Sequence, residues 1–305
     1  MADLAVDWRV ASAAGRLFVP AGPEVTRDQA AAVVADLRGC AERASIAVAA
    51  ASGLPAPAGA EVLVVDRAGW VTAATAMTEA MWRSVGRPPS GTLPGRIGAA
   101  FAGGQLGAAL AFVATRILGQ FDPYSTTPRL LLVAPNIVTA ERALAVEPHG
   151  FRQWVCLHEE THRFQFGAAP WLSGQLTGLL RDVLDDDRRT AALDSVTAVM
   201  SLLEGHADVV MDIAGRGLVP QVAQLRAAFE RRRDAGGLVQ LISRLFGLQA
   251  KREQYLRGAR FCRAVIEEVG VAGLNLAFRA PDLLPTLDEL HAPADWLRRV
   301  PGRRG

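Results

Sequence analysis

One short stretch, Val155–Phe164, restricts what this chain can fold into more than any other. It contains His158 and Glu159, followed on the same short run by His162, and the whole chain has only five histidines. Residues four apart on an α-helix lie one turn apart on the same face, so the two imidazoles can point at one metal ion. Glu159 lies about 100° round the helix, within reach of a water on that metal without being a ligand. The stretch predicts a helix with two ligands and the general base of a zinc centre.

A catalytic zinc normally takes three protein ligands and a water, so a third ligand must come from elsewhere. Glu204 is the best candidate, because it falls inside a helical stripe of apolar residues, where a carboxylate is costly to bury unless a cation neutralises it. His206 is the alternative ligand, but it lies about 160° round the helix from Glu204, which makes it a hydrogen-bonded core or rim histidine if Glu204 binds. Asp208, one turn after Glu204, is expected to accept the second ring N–H of a ligand histidine.

Composition sets limits on partners and compartment. Lys and Arg number 33 against 31 Asp and Glu, and the net charge of +2 gives no electrostatic case for nucleic-acid binding. Cys40, Cys156 and Cys262 are few and far apart, which argues against a disulfide framework and fits a reducing compartment. The first residues lack the basic and apolar pattern of a signal peptide. We therefore expect a cytoplasmic protein.

The segment Ile97–Ala114 tests that expectation, because it is almost free of polar groups and approaches the length of a membrane span. It is built largely from Ala and Gly, whose transfer into lipid is poorly favourable. Gly103 and Gly107 give it a face of small residues that suits close helix packing. We interpret it as a buried helix and expect no membrane partner; a membrane-associated protease is the alternative.

The remaining periodicity predicts an α+β protein that is predominantly helical, with a small β-sheet in its N-terminal half. Residues 61–65 and 129–133 have the composition of strands, and Trp70–Ala73 is interpreted as a further strand segment. Nearly everything after the histidine helix has helical spacing. Because no low-complexity linker interrupts the chain, we expect one domain over residues 1–305, with an N-terminal subdomain over 1–120 that packs on the metal-site helices.

Several motifs together resemble the zincin-like metallopeptidase type 2 family. The matching stretches are 158–166, 170–172 and 203–208, with shorter matches at 66–71, 118–122, 133–136 and 254–258. The resemblance covers most of the chain, from about residue 5 to 300, and implies a zincin-like fold of the gluzincin type. Its implied ligands are His158, His162 and Glu204, with Glu159 as the base. Actinobacterial members of the family are labelled hydrolases or proteins associated with deazaflavin-coenzyme biosynthesis.

The chain departs from the wider zincin pattern at two positions. Zincin helices usually carry uncharged residues between and just after the histidines, whereas Glu160 and Arg163 are charged. Their spacing of three residues predicts a salt bridge on the outer face of the helix. The departure argues against thermolysin-like peptidase activity, but it leaves the metal geometry undisturbed.

A site with these residues also predicts a mechanism. A bound zinc would lower the pKa of its water towards neutrality, and Glu159 would accept the proton as that water attacks a carbonyl and then pass it to the leaving amine. The oxyanion needs a donor besides zinc; His206, Tyr255 and nearby arginines are candidates, and the position of Tyr255 in a family-like stretch favours it slightly. The alternative for Tyr255 is a half-buried aromatic residue on a helix. In zincins an edge strand at the position of Leu130–Val133 pairs with an extended substrate, and a plain core strand is the alternative here.

Two classes of function remain. The first is a zinc-dependent hydrolase, a metallopeptidase or amidase with Zn²⁺ as its cofactor and a peptide or peptide-like substrate. The second is a zinc-stabilised but catalytically idle protein that serves as a binding or assembly component of a coenzyme pathway. Glu159 favours the first class, because a site that only holds metal has no need of a base.

Overall fold

The computed structural model describes residues 5–57, 59–83, 92–219, 225 and 252–300, with the backbone alone at 252–256. The described part is mostly helical and carries one small sheet in the N-terminal half, which confirms the predicted fold class. The chain divides into two compact units, Met1–Gly39 with Ala60–Arg152 and Cys40–Gly59 with Gln153–Gly305. The single domain with its N-terminal subdomain stays a prediction.

The first unit combines helices with the sheet. Its helices are α1 (Trp8–Phe18), the first half of α2 (Arg27–Ser52), α3 (Arg67–Trp82), α4 (Leu93–Ala114) and α5 (Ala134–Leu144), and its strands are β1 (Glu61–Val65), β2 (Gly119–Asp122) and β3 (Arg129–Val133). The order in the sheet is β1-β3-β2.

Strand β3 lies in the middle of this sheet. It pairs in parallel with β1, where Leu131 is opposite Leu63, and antiparallel with β2, where Leu131 is opposite Gln120. Residues 130–133 are buried, as expected for a strand covered on both faces. Because both edges of β3 are already paired, it cannot add an extended substrate as a further strand. Leu130–Val133 is therefore a core strand.

The prediction of a strand at Trp70–Ala73 is wrong, because these residues lie in α3. Asp66 caps that helix, its side chain accepting a hydrogen bond from the backbone N–H of Gly69 at 2.6 Å. Trp70 and Val71 are buried on the inner side of the helix. Their aromatic and β-branched character suits a strand locally, but the cap and the tertiary packing favour the helix.

Helix α4 packs along α1 through its small residues. A Cβ added to Gly103 would overlap the backbone of Asp7, and one added to Gly107 would overlap that of Ala11. By length and composition α4 is apolar enough to cross a membrane, which alone is weak evidence. The helix is buried along this one face only, since Ile97 and Phe101 are exposed on the other. The prediction of a buried helix is therefore correct for the face that carries Gly103 and Gly107, and not for the face that carries Ile97 and Phe101.

The second unit is helical throughout the part that is described. It contains the second half of α2, most of α6 (Pro148–Ala168), α7 (Leu172–Val183), α8 (Arg189–Leu218), α9 (Arg252–Leu274), α10 (Leu287–His291) and α11 (Pro293–Arg299), with two short 3₁₀ helices at Asn275–Phe278 and Pro281–Leu283. Its core centres on α8 and α9, where Leu202, Phe261, Val265 and Trp296 pack together. Helices α6 and α8 carry the residues of the predicted zinc site.

Candidate metal centre

The two histidines of α6 direct their Nε2 atoms towards one point. The Nε2 atoms of His158 and His162 lie 3.1 Å apart, and the rings meet edge to face with centroids 4.6 Å apart. The side chains keep 28% and 14% of their surface exposed, so the pair is open to solvent on one side. One turn of helix thus presents two imidazole nitrogens towards a common point.

Helix α8 brings Glu204 to this point. Its carboxylate oxygens lie 3.6 Å from His158 Nε2 and 3.7 Å from His162 Nε2, and all three donor atoms are mutually within 4.8 Å. For a tetrahedral zinc with bonds of about 2.1 Å, neighbouring donor atoms should lie about 3.4 Å apart. The three distances bracket that value, and two imidazoles with one carboxylate form a donor set that zinc accepts. The residues present therefore fit the metal.

Glu159, next to the first histidine, is buried: only 7% of its surface is exposed. Burial raises the pKa of its carboxyl to about 7; His162 opposes this increase and the negative charge of Glu204 adds to it. A carboxyl with a pKa near neutrality can both take up and release a proton under ordinary conditions. The role of Glu159 as general base stays a prediction.

The pKa of Glu159 gives a test that needs no substrate. In the unfolded chain an ordinary glutamate has a pKa of 4.5, so between about pH 4.5 and 7 the folded protein holds the proton more tightly. The free energy of unfolding therefore falls as the pH rises through this window, by roughly 3 kcal/mol in full. Glu159→Gln removes this loss. Urea unfolding of metal-free protein should show the variant more stable at about pH 8 and matched to the parent at about pH 4.

The protein must be stripped of metal for that experiment, because a cation beside Glu159 stabilises the charged carboxylate and lowers its pKa. A difference in unfolding free energy that is equal at the two pH values would contradict the buried, proton-binding Glu159.

Gln165 joins the site one turn after His162 and was not predicted from the sequence. Its Oε1 lies 2.9 Å from His162 Nδ1, and its Nε2 lies 2.8 Å from the backbone oxygen of Leu203 and 3.0 Å from His206 Nδ1. The side chain is fully buried. It links the second histidine of α6 to the part of α8 that carries Glu204.

His206 is not part of the ligand group that the structure brings together. It is 1% exposed, its Nδ1 contacts Gln165, and its ring meets Phe278 edge to face at 5.0 Å. Burial lowers the pKa of His206 to about 3, an effect that His162 reinforces and the Asn275 side chain opposes. Among the described residues, His206 Nε2 and Asn275 Oδ1 have no hydrogen-bond partner. Sequence reasoning placed His206 in the core or at its rim, and the structure places it in the core.

The structure places Asp208 against α9. Its Oδ2 accepts a hydrogen bond from Arg263 Nη2 at 2.7 Å, and the same nitrogen donates to Asp212 at 2.9 Å. At His162 the ring nitrogen that Asp208 was expected to meet contacts Gln165 instead. Acceptance from a ligand histidine by Asp208 stays a prediction. The side chain of Tyr255 lies outside the described residues, although its backbone lies in α9.

Glu160 and Arg163 form the predicted ion pair, but on a buried face of the helix. Arg163 donates to Glu160 Oε2 from Nη2 at 2.6 Å and from Nε at 2.8 Å, and Nη2 also donates to Ser45 on α2. Glu160 is fully buried and Arg163 is 8% exposed. The outer-face interpretation is therefore wrong: α2 packs against this side of α6, so the two charges neutralise each other there.

Two facing glycines set the distance between α8 and α9. A Cβ on Gly205 would overlap the backbone of Gly258, and a Cβ on Gly258 would overlap the backbone of Ser201. Gly205 stands between Glu204 and His206 in the sequence. The close approach of α9 therefore fixes the turn of α8 that carries the carboxylate.

Gly205→Ala should separate these helices and destabilise the fold by about 2–3 kcal/mol, the usual cost of overpacking a tight contact. Calorimetric thermal unfolding should show a midpoint lower by roughly 3–5 °C. Gly174→Ala is the matched control, because a Cβ at this helical glycine on α7 meets no atom within 4 Å. Equal midpoints for the two variants would contradict the assigned packing.

Comparisons with known proteins support a zinc-dependent hydrolase in general. A family model described as zincin-like metallopeptidase matches residues 6–188 and 178–297. The chain belongs to this family, as its motifs predicted.

One solved structure is similar along nearly the whole chain. This protein from Chloroflexus aurantiacus, provisionally described as a hydrolase with a novel fold, superposes with a TM-score of 0.78 at 28% sequence identity. The match covers 98% of the present chain and 100% of that chain. No curated protein matches the sequence.

Proposed function

We propose that this protein is a zinc metallopeptidase in which His158, His162 and Glu204 hold the metal and Glu159 is the general base. The observation that supports this most is that two helices bring three metal-binding side chains together beside a buried glutamate with a raised pKa. The description of its family as metallopeptidases supports the same activity.

Each residue has a distinct task in this proposal. A bound zinc ion would supply the Lewis acid that activates water and polarises a carbonyl group. Glu159 accepts the proton of the attacking water and returns it to the nitrogen that leaves. Without metal, burial holds the pKa of Glu159 near 7, and a bound cation would lower it, which favours the charged carboxylate that a general base needs. The exposed sides of His158 and Glu204 leave the site accessible to a substrate.

Tyr255 is the proposed donor to the oxyanion that forms on the substrate carbonyl. Its position on α9, the helix packed against α8, supports this role. His206 is a poor candidate, because it is buried and already contacts Gln165. Tyr255→Phe removes only the hydroxyl, and loss of one such donor is expected to lower kcat about 10²–10³-fold.

The activity is tested by screening a library of internally quenched peptides with the zinc-loaded protein. Cleavage should appear for some sequences, stop when a chelator removes the metal and return when zinc is added back. If the zinc-loaded protein cleaves nothing across a broad library of peptides and amides, the proposal fails. A zinc-stabilised binding or assembly protein of a coenzyme pathway would then be the function to pursue.

The proposed partner is a peptide or peptide-like substrate, met in the cytoplasm. Nucleic acid is not proposed as a partner, because a net charge of +2 gives no electrostatic case for binding it. Membrane binding is likewise not proposed, because the small-residue face of α4 is used in packing on α1. Sedimentation of the expressed protein with the membrane fraction would contradict this assignment.

A further inference from the structure

The buried side chain of Gln165 has three partners, and together they decide which way its carboxamide faces. Its Nε2 lies 2.8 Å from the backbone oxygen of Leu203, which has no hydrogen to offer and can only accept. The atom facing Leu203 must therefore be the NH₂ group, because an amide oxygen there would meet another acceptor. The opposite orientation of the carboxamide is excluded by this one contact.

This orientation fixes the proton on His162. With the NH₂ group committed to Leu203, the amide oxygen of Gln165 faces His162 Nδ1 at 2.9 Å. Oxygen can only accept, so His162 Nδ1 must carry a hydrogen. In a neutral imidazole that leaves a lone pair on Nε2, the atom that faces His158 and Glu204.

His206 completes the arrangement from α8. An amide nitrogen has two hydrogens; one goes to Leu203, and the second points to His206 Nδ1 at 3.0 Å. His206 Nδ1 is therefore an acceptor. The residue that the sequence offered as a rival ligand is one of two acceptors that hold the Gln165 carboxamide in place.

We propose that Gln165 is a positioning residue that holds His162 in its Nδ1–H tautomer, with the Nε2 lone pair directed at the metal position, and that His206 acts through Gln165. This inference rests on the proposed zinc site. Partners of this kind, which contact a ligand without touching the metal, typically change metal affinity about 10- to 100-fold when they are removed.

The metal-free protein provides the first test. Two-bond ¹H–¹⁵N NMR spectra of its imidazole rings distinguish Nδ1–H from Nε2–H, and His162 should be in the Nδ1–H form. Finding His162 in the Nε2–H form would overturn the proposal. This measurement needs neither a variant nor zinc, so it decides the role of Gln165 even if the protein binds no metal and the proposed function fails.

The second test compares zinc affinities in competition with a chromophoric chelator. Gln165→Met should weaken zinc binding about 10- to 100-fold and leave His162 in a mixture of tautomers. Unchanged zinc affinity in Gln165→Met would overturn the proposal.

Gln153→Met is the matched control for Gln165→Met. Gln153 is a second buried glutamine on α6; it accepts from Arg43 Nε at 3.0 Å and donates to the backbone oxygen of Cys40 at 3.0 Å. Its loss removes hydrogen bonds of the same kind away from the ligands. Zinc affinity in this variant should stay within about threefold of the parent, and an equal weakening in both glutamine variants would overturn a specific role for Gln165.

Discussion

Glu159→Gln should lower kcat by about 10²–10⁴-fold on any peptide found by the library screen, the usual contribution of a positioned general base. Glutamine has the same shape and buries no charge, so the packing of α6 should be kept. Zinc should still bind, because the three proposed ligands are untouched. The measurement is steady-state turnover of the zinc-loaded variant, with its zinc content determined in the same samples.

The pH profile of the parent enzyme adds a second readout to this comparison. A general base must be deprotonated, so activity should fall as the pH is lowered through the pKa of Glu159. That pKa is about 7 without metal, and a bound cation lowers it, which places the loss at or below neutral pH. A Glu159→Gln variant with its full zinc content and parental turnover would show that another group is the base.

Glu204→Ala should weaken zinc binding by about 10²–10⁴-fold. Apparent binding free energies of roughly 10–16 kcal/mol are shared among three or four protein ligands in sites of known affinity, so one ligand accounts for several kcal/mol. Chelator competition measures the change directly. The three donor atoms lie so close together that loss of the carboxylate leaves two imidazoles alone.

Asp212→Ala is the control for this variant, since Asp212 is also a carboxylate on α8 but pairs with Arg263. Its zinc affinity should remain within about threefold of the parent. Asp208→Ala tests the predicted contact with a ligand histidine: a loss of about 10-fold or more would support it. Parental zinc affinity in Glu204→Ala would move the third ligand to another residue.

Helical geometry and burial cost, both local properties, were sufficient to propose the ligand set from the sequence. His158 and His162 are four residues apart, and a regular helix alone brings their rings to one place. Glu204 stood out because a carboxylate in an apolar stripe needs a neutralising partner. The structure brings all three together, although they come from two helices.

The role of Gln165 could not be derived in the same way. Its position three residues after His162 is visible in the sequence, but two of its partners, Leu203 and His206, lie 38 and 41 residues further on. Only the packing of α6 against α8 shows that they hold the carboxamide. The approach of α9 at Gly205 is equally a property of the tertiary structure.

The two wrong predictions have a common cause. Trp70–Ala73 was assigned to a strand from local preference, and Glu160 with Arg163 was assigned to an outer face because both are charged. In each case tertiary contacts decide the outcome: Trp70 is buried in a capped helix, and Ser45 of α2 meets Arg163 on a covered side of α6. Local rules fail where other helices supply the partners.

The metal content of the protein tests the central claim most directly. Protein purified without an affinity tag should contain about one zinc per chain by mass spectrometry, and the His162→Ala variant, prepared in parallel, should contain none. A parent protein without zinc, which takes up none when zinc is added, would contradict the assigned site and the hydrolase chemistry built on it.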